Sequence, residues 1–302
     1  MKSPVVLAYA GGIHASAAIP WLADTLGVEV VTVTLDVGQG HELSELRARA
    51  LTCGAVRAHV VDARDEFARD VLIPSLLAGE PAGADATPIS RLPWPLIARR
   101  LTEIARIEGA GAVAHGSTDP AFDAGIHAID PAVPIIAPAR EWTMSDADLI
   151  NYARARRLPV HVSGAMECRI DQNLWGRVLT WEGDQEPAAA RARSAKGRVN
   201  EPAVVDIHFE RGVPTSLNGV PMSPAELIEC LSLIGAQHGV GRRQVSTGPR
   251  HVLHDAPAAA ILRAAAAAAA GSANADVCFR LAGGESTVLT AAGRHSLLVN
   301  YA

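Results

Sequence analysis

Paired cysteines, an excess of positive charge and long apolar runs are all missing from this 302-residue sequence. Its four cysteines, Cys53, Cys168, Cys230 and Cys278, stand far apart with no CxxC pair. That spacing argues against a disulfide scaffold and a zinc site, and suits a reducing cytosol. Basic residues number 27 against 32 acidic, a net charge of −5, and no basic run occurs. A face built for nucleic acid is therefore not expected. No stretch reaches the roughly 18 apolar residues that cross a bilayer. The alanine run Ala264–Ala270 is short and flanked by Arg263 and Gly271; it reads as part of a strong helix. The opening residues meet Gly11-Gly12 too soon for a secretory segment,. A cytoplasmic protein with neither membrane nor nucleic-acid partner is the expectation. Core material, by contrast, is plentiful: 49% of the residues are hydrophobic, which rules out a disordered chain. The length suits two domains of about 150 residues each.

In the first half, short apolar runs alternate with helical spacing. Strands are expected at 4–9, 28–35, 56–61, 112–115 and 134–136. Helices are expected at 15–26, 42–51, 66–76, 96–108 and 145–156, the last with Ser145 as N-cap and Asp148 three residues on. This alternation implies a parallel sheet covered on both faces. The second half changes character. Residues 184–199 carry no apolar period and read as a mobile loop or exposed linker. Strands at 204–209, 214–217, 277–281, 287–290 and 296–300, with helices at 223–234 and 256–270, describe an α+β domain. No internal repeat is visible.

The most informative segment is Ala8-Tyr9-Ala10-Gly11-Gly12-Ile13-His14-Ala15-Ser16, between the first strand and the first helix. Two glycines let the backbone approach a ligand, and the helix N-terminus then faces an anion, typically phosphate. From local pattern only, a tight strand-to-helix turn explains it equally well.

The segment resembles the pyrophosphate loop of N-type ATP pyrophosphatases, Ser-Gly-Gly-x-Asp-[Ser/Thr]-Ser. Further runs resemble the argininosuccinate synthase family, in family order along nearly the whole chain: Asp36-Val37-Gly38-Gln39-Gly40, Pro95-Leu96-Ile97-Ala98, Ala114-His115-Gly116-Ser117-Thr118, Ile135 to Trp142, Asp171 to Arg177, Leu217-Asn218-Gly219 and His238 to Arg242. The resemblance implies an α/β fold: a parallel-sheet adenine-nucleotide α-hydrolase-like (HUP-type) domain over 1–163, then an α+β synthetase-like domain over 164–302. It implies ATP, with Mg2+ if the protein is active. It places the nucleotide on Ala8, Tyr9, Ala10, Gly11, Gly12, Ile13 and Ser16, with Leu35, Asp36, His115 and Gly116. In the family, ATP adenylates the citrulline ureido oxygen, pyrophosphate leaves, and the aspartate amine displaces AMP. Such catalysis is positioning plus charge stabilisation.

The sequence departs from the family where substrates bind. In the loop, the family Ser, Asp and Thr are Ala10, His14 and Ala15. Exchanging that carboxylate for imidazole removes a magnesium partner, since magnesium prefers oxygen ligands. The citrulline-binding Tyr falls at Ala86, with Ser at Arg91 and Arg at Trp94. In the run after Thr118, the family Lys, Asn and Arg are Pro120, Phe122 and Ile126, while Thr118 and Asp123 survive. Arg169 and Val178 replace two serines, His254 stands for a tyrosine, and the family's long C-terminal helix, used in tetramer assembly, has no counterpart. A monomer or homodimer is expected. Scaffold positions are kept and polar contacts are lost, each lost partner costing a buried polar substrate about 1–3 kcal/mol.

The candidate catalytic residues are His14 and Asp123. His14 reads as a general base or phosphate contact, or as a tolerated loop histidine. Arg91, Trp94, Thr118, Phe122, Asp123, Arg169 and His254 are the candidate substrate residues. Trp94 and Phe122 line a more apolar acceptor pocket or fill vacated space. Arg91 and Arg169 form an anion clamp or are surface charge. Asp36 and Gln39 contact adenine or ribose or are turn residues. His251 and His254 evoke a metal pair on a helix, but no third ligand lies nearby and no metal site is assigned. Three functions follow: an adenylate-forming C–N ligase with a non-citrulline, amino-acid-like acceptor; an inactive pseudoenzyme acting as a binding or regulatory partner, for instance of a pathway enzyme; and ordinary argininosuccinate synthesis, which the site residues oppose.

Overall fold

A computed structural model describes residues 2–40, 43–79, 88–160, 168–195 and 199–293. The chain opens with β1 (Val5–Ala8), α1 (Ile13–Leu26), β2 (Val30–Asp36), α2 (Leu43–Thr52) and β3 (Arg57–Asp62). A helical stretch follows: α3 (Arg64–Phe67), a π-helical turn (Ala68–Leu72) and α4 (Ile73–Leu77). Next come α5 (Trp94–Ile107), β4 (Ala112–Ala114), α6 (Ala121–His127), β5 (Ile135–Ile136), α7 (Pro138–Glu141) and α8 (Asp146–Ala155). The second half holds β6 (Arg169–Asn173), β7 (Gly176–Glu182), α9 (Ala188–Ala195), β8 (Ala203–Glu210), β9 (Val213–Leu217), β10 (Val220–Pro221) and α10 (Pro224–Gln237). It ends with β11 (Arg242–Thr247), β12 (Arg250–Asp255), α11 (Pro257–Ala268), β13 (Asn274–Ala282) and β14 (Glu285–Gly293).

The first compact unit gathers the described residues of Met1–Ala63 and Pro93–Met166. Its five strands run parallel in the order β3-β2-β1-β4-β5. The expected parallel sheet is present. Its central strands bury Val6, Leu7, Val31 and Val113, and α1 turns Ala17, Ala18, Ile19 and Leu22 inward. The Ser145–Asp148 capping box starts α8 as expected. Strand order reverses at β1, so the C-terminal ends of β1 and β4 diverge into loops side by side. That is where open α/β sheets bind ligands.

The second unit gathers the described residues of Arg64–Leu92 and Glu167–Ala302. It has two antiparallel sheets, β10-β9-β8-β13-β14 and β11-β12-β7-β6. Two helices pack on each other, α10 burying Leu227, Ile228 and Leu231 and α11 burying Ile261 and Leu262. The expected division at residue 163 follows chain order; by packing, Arg64–Leu92 goes with the second unit.

Two expectations need correction. Residues 188–195 form α9, not a loop; its apolar content is alanine, of which Ala190 is buried. The sheet β11-β12-β7-β6 was not anticipated, because β11 is polar and largely exposed on both faces and shows no alternation,. The strand expected at 296–300 lies outside the described residues. No described helix is long and apolar enough to cross a membrane.

Candidate functional site

The loop between β1 and α1 is shaped by its two glycines, in different ways. Gly11 has φ +78°, and a Cβ there would lie 2.3 Å from Leu46 Cδ2. Only glycine combines that backbone with that approach to α2. Arg49 Nη1 donates to Gly11 O at 3.1 Å and closes the inner side. Gly12 is the N-cap of α1, in ordinary extended geometry, and a Cβ there would meet nothing within 4 Å. Its outer side is open space. Ser16 N–H is the first to bond back along the helix, to Gly12 O at 2.9 Å. The N–H groups of Ile13, His14 and Ala15 donate no hydrogen bond among the described residues. A helix start with free donors and no acidic residue in its first turn suits a bound anion.

Side chains on the inner side belong to the core. Ser16 is fully buried and its Oγ lies 3.0 Å from Tyr9 Oη. Thr34 Oγ1 donates to Tyr9 O at 2.9 Å, fixing the loop to β2. Burial raises the Tyr9 phenol above its usual pKa. Ala10 and His14 are exposed. The His14 ring lies 6.2 Å from Trp142, which meets Trp21 edge-on at 5.9 Å. At the end of β2 the turn closes on itself. Asp36 Oδ1 accepts from Gly38 N–H at 2.8 Å, and Gln39 bonds both Leu35 O and Val37 N–H.

The loop after β4 is closed by its own side chains. His115 is 1% exposed. Its Nδ1 accepts from Ser117 N–H at 3.2 Å, so the proton sits on Nε2, which donates to Asp123 Oδ1 at 2.8 Å,. Arg140 Nη2 donates to Asp123 Oδ2 at 2.6 Å. Burial holds the His115 imidazole below its ordinary pKa against the pull of Asp123. For Asp123, burial pushes upward, but the Arg140 hydrogen bond and the His115 contact prevail and hold the carboxyl down. Phe122 is 4% exposed. Its ring meets His115 edge-on at 4.8 Å and Trp94 at 5.4 Å. A Cβ on Gly116 would lie 3.9 Å from Ala15 N, so this loop abuts the first turn of α1. Residues Ala8 to Ser16, Leu35, Asp36, His115 and Gly116 thus gather at neighbouring strand ends. Trp94, Phe122 and Asp123 join through His115, and Thr118 lies exposed on the same loop. Arg140 and Trp142 were not singled out as site residues; the run from Ile135 to Trp142 was their signal.

In the second unit, Asn173 Nδ2 donates to Ile89 O at 2.7 Å and ties the turn bearing Arg91 to β6, which bears Arg169. Arg169 is exposed and pairs with Asp171 at 3.3 Å. Ala86 lies outside the described residues. His251 and His254 stand on strand β12, not on a helix, and their odd spacing sends them to opposite faces. His251 stacks on Trp181 at 5.2 Å. His254 is exposed; partial burial and then the Arg243 charge push its pKa down. Among the described residues no group of three or more His, Cys, Asp or Glu is placed to hold a metal ion.

A five-stranded parallel sheet with main-chain donors at its switch point that are unpartnered among the described residues, followed in the chain by antiparallel sheets and helices, defines an α/β protein of the HUP class. Residues 4–159 match the arginosuccinate synthase N-terminal HUP domain, and residues 169–270 match the arginosuccinate synthase C-terminal domain. The argininosuccinate synthase of Listeria monocytogenes serotype 4a (strain HCC23) is 40% identical over 279 residues, 86% of this chain and 69% of that protein. That of Dictyoglomus thermophilum is 39% identical over 281 residues, with the same shares. That of Bacillus cereus (strain B4264) is 38% identical over 253 residues, 80% of this chain and 63% of that one. The chain belongs to the argininosuccinate synthase family.

Proposed function

We propose that this chain is an ATP-dependent, adenylate-forming C–N ligase whose acceptor is not citrulline. The observation that carries the reading is Phe122. Where the family resemblance puts an asparagine, a buried phenyl ring packs on His115 and Trp94. A donor to a polar substrate is replaced by an apolar wall, while the open backbone donors at Ile13, His14 and Ala15 remain. Phosphate binding that rests on main chain survives side-chain replacement. In the reaction so proposed, an acceptor oxygen attacks the α-phosphorus of ATP and the bond to the β-phosphate breaks. An amine then attacks the activated carbon, AMP leaves, and the amine gives up a proton. His14, exposed beside the loop, is the group proposed to take it.

Purified protein with ATP, MgCl2 and a panel of amino-acid and amide acceptors tests this by pyrophosphate release. Turnover with an apolar acceptor and none with citrulline is the expected result. The second reading is argininosuccinate synthesis itself, favoured by about 40% identity to proteins of that name. Citrulline- and aspartate-dependent release at an ordinary ligase rate would establish it instead. ATP binding without turnover across the panel would turn the search to protein partners.

A further inference from the structure

Resting on the nucleotide site just proposed, we infer that the loop holds ATP without a magnesium ion ligated by the protein, position 14 contributing an imidazole where a metal would need oxygen. Magnesium demands oxygen ligands in near-octahedral geometry and is held through one or two carboxylates plus substrate phosphates. The donor set at these strand ends does not supply them. Ala10, His14 and Ala15 carry no side-chain oxygen. The Ser16 hydroxyl is buried against Tyr9. Four carboxylates on the adjoining segments already accept hydrogen bonds from the fold. Asp36 takes Gly38 N–H and Asp119 takes Ala121 N–H. Glu141 takes Ala137 N–H, and Asp123 has one oxygen on His115 and the other on Arg140. Turning Asp123 to a metal would leave a buried imidazole and a guanidinium without their partner, a costly exchange. Thr118 offers one neutral hydroxyl. His14, in contrast, is exposed, set on the first turn of α1 between free N–H groups, and its ring lies beside Trp142. Its ring N–H adds a donor to the main-chain donors around a polyphosphate.

The test is calorimetric titration of the wild-type protein with ATP, once with excess MgCl2 and once with EDTA. The two dissociation constants are expected to agree within about threefold, a difference under 1 kcal/mol. Binding about tenfold or more tighter with magnesium overturns the inference and leaves the proposed ligase intact. No binding in either buffer overturns the proposed function itself. His14→Asp, at an exposed position where folding is checked by circular dichroism, is expected to bind ATP at least about fivefold tighter with magnesium than with EDTA. An unchanged ratio in that variant overturns the role given to position 14.

Discussion

The loops after β1 and β4 leave neighbouring strands of one sheet, yet they are built on opposite plans. The first presents main chain: Gly12 faces open space and three N–H groups have no partner among the described residues. The second is filled by side chains, with Phe122 against His115 and Trp94, and Asp123 bonded at both oxygens. A binding surface made of backbone tolerates replacement of its side chains, because every residue type but proline supplies the same N–H. One made of side chains changes its ligand with each substitution. In the first loop the family pattern persists accordingly at Gly11, Gly12 and Ser16, the residues that shape the backbone and anchor it to the core.

The largest expected effect breaks the second plan. Phe122→Ala empties a buried ring from between His115 and Trp94 and should destabilise the protein by about 3–5 kcal/mol, read as a lowered urea midpoint. Full stability in that variant would mean that Phe122 fills no core space. Next, the two glycines should separate cleanly. Gly11→Ala forces a positive-φ alanine into Leu46 and should cost about 2–3 kcal/mol in the same assay. Gly12→Ala meets no neighbour and has compatible geometry, so stability should hold within about 1 kcal/mol. Its methyl enters the open face, however, and ATP affinity should fall about tenfold, or 1.4 kcal/mol. Equal loss of stability in both variants would contradict the contrast between inner and outer sides.

The smallest effect concerns pH. Unfolded, His115 takes up a proton below about pH 6.5; folded, burial holds its pKa lower. The stability it contributes is therefore full above about pH 6.5 and is lost as pH falls from there toward the folded value. The urea midpoint should drop between pH 7.5 and 5.5, and His115→Gln should flatten that slope. Asp123, whose carboxyl is held down, contributes a separate loss below about pH 4. An equally steep slope in the His115 variant would assign the effect to other groups.

Much of the first unit was legible before any coordinates. Short apolar runs separated by helical spacing identified all five of its strands to within two residues, and Ser145 with Asp148 marked the start of α8. The turn from β1 into α1 was legible from its two glycines, but the glycine pair alone left a phosphate site and a plain turn as equal readings. The closed network was not. His115 and Asp123 were named from the family resemblance, but no local pattern ties them to Arg140, seventeen residues past Asp123. The side chains meet only because β4 and β5 pair. The sheet β11-β12-β7-β6 was illegible for a different reason: its outer strands β6 and β11 carry charge and amide where an alternating apolar face would have announced them.

The interleaving of the two units has a consequence for how the chain is made. Emerging from the ribosome, β1, β2 and β3 are complete by residue 62, but β4 and β5 wait until residue 136. The intervening segment that begins at Arg64 packs with a unit whose remaining residues start at 167. Its buried Phe67, Leu72, Ile73 and Leu76 wait about ninety or more further residues of synthesis before the rest of that unit begins to emerge. During those seconds of translation the nascent chain carries an apolar helical segment in want of cover, the kind of surface through which incomplete chains aggregate.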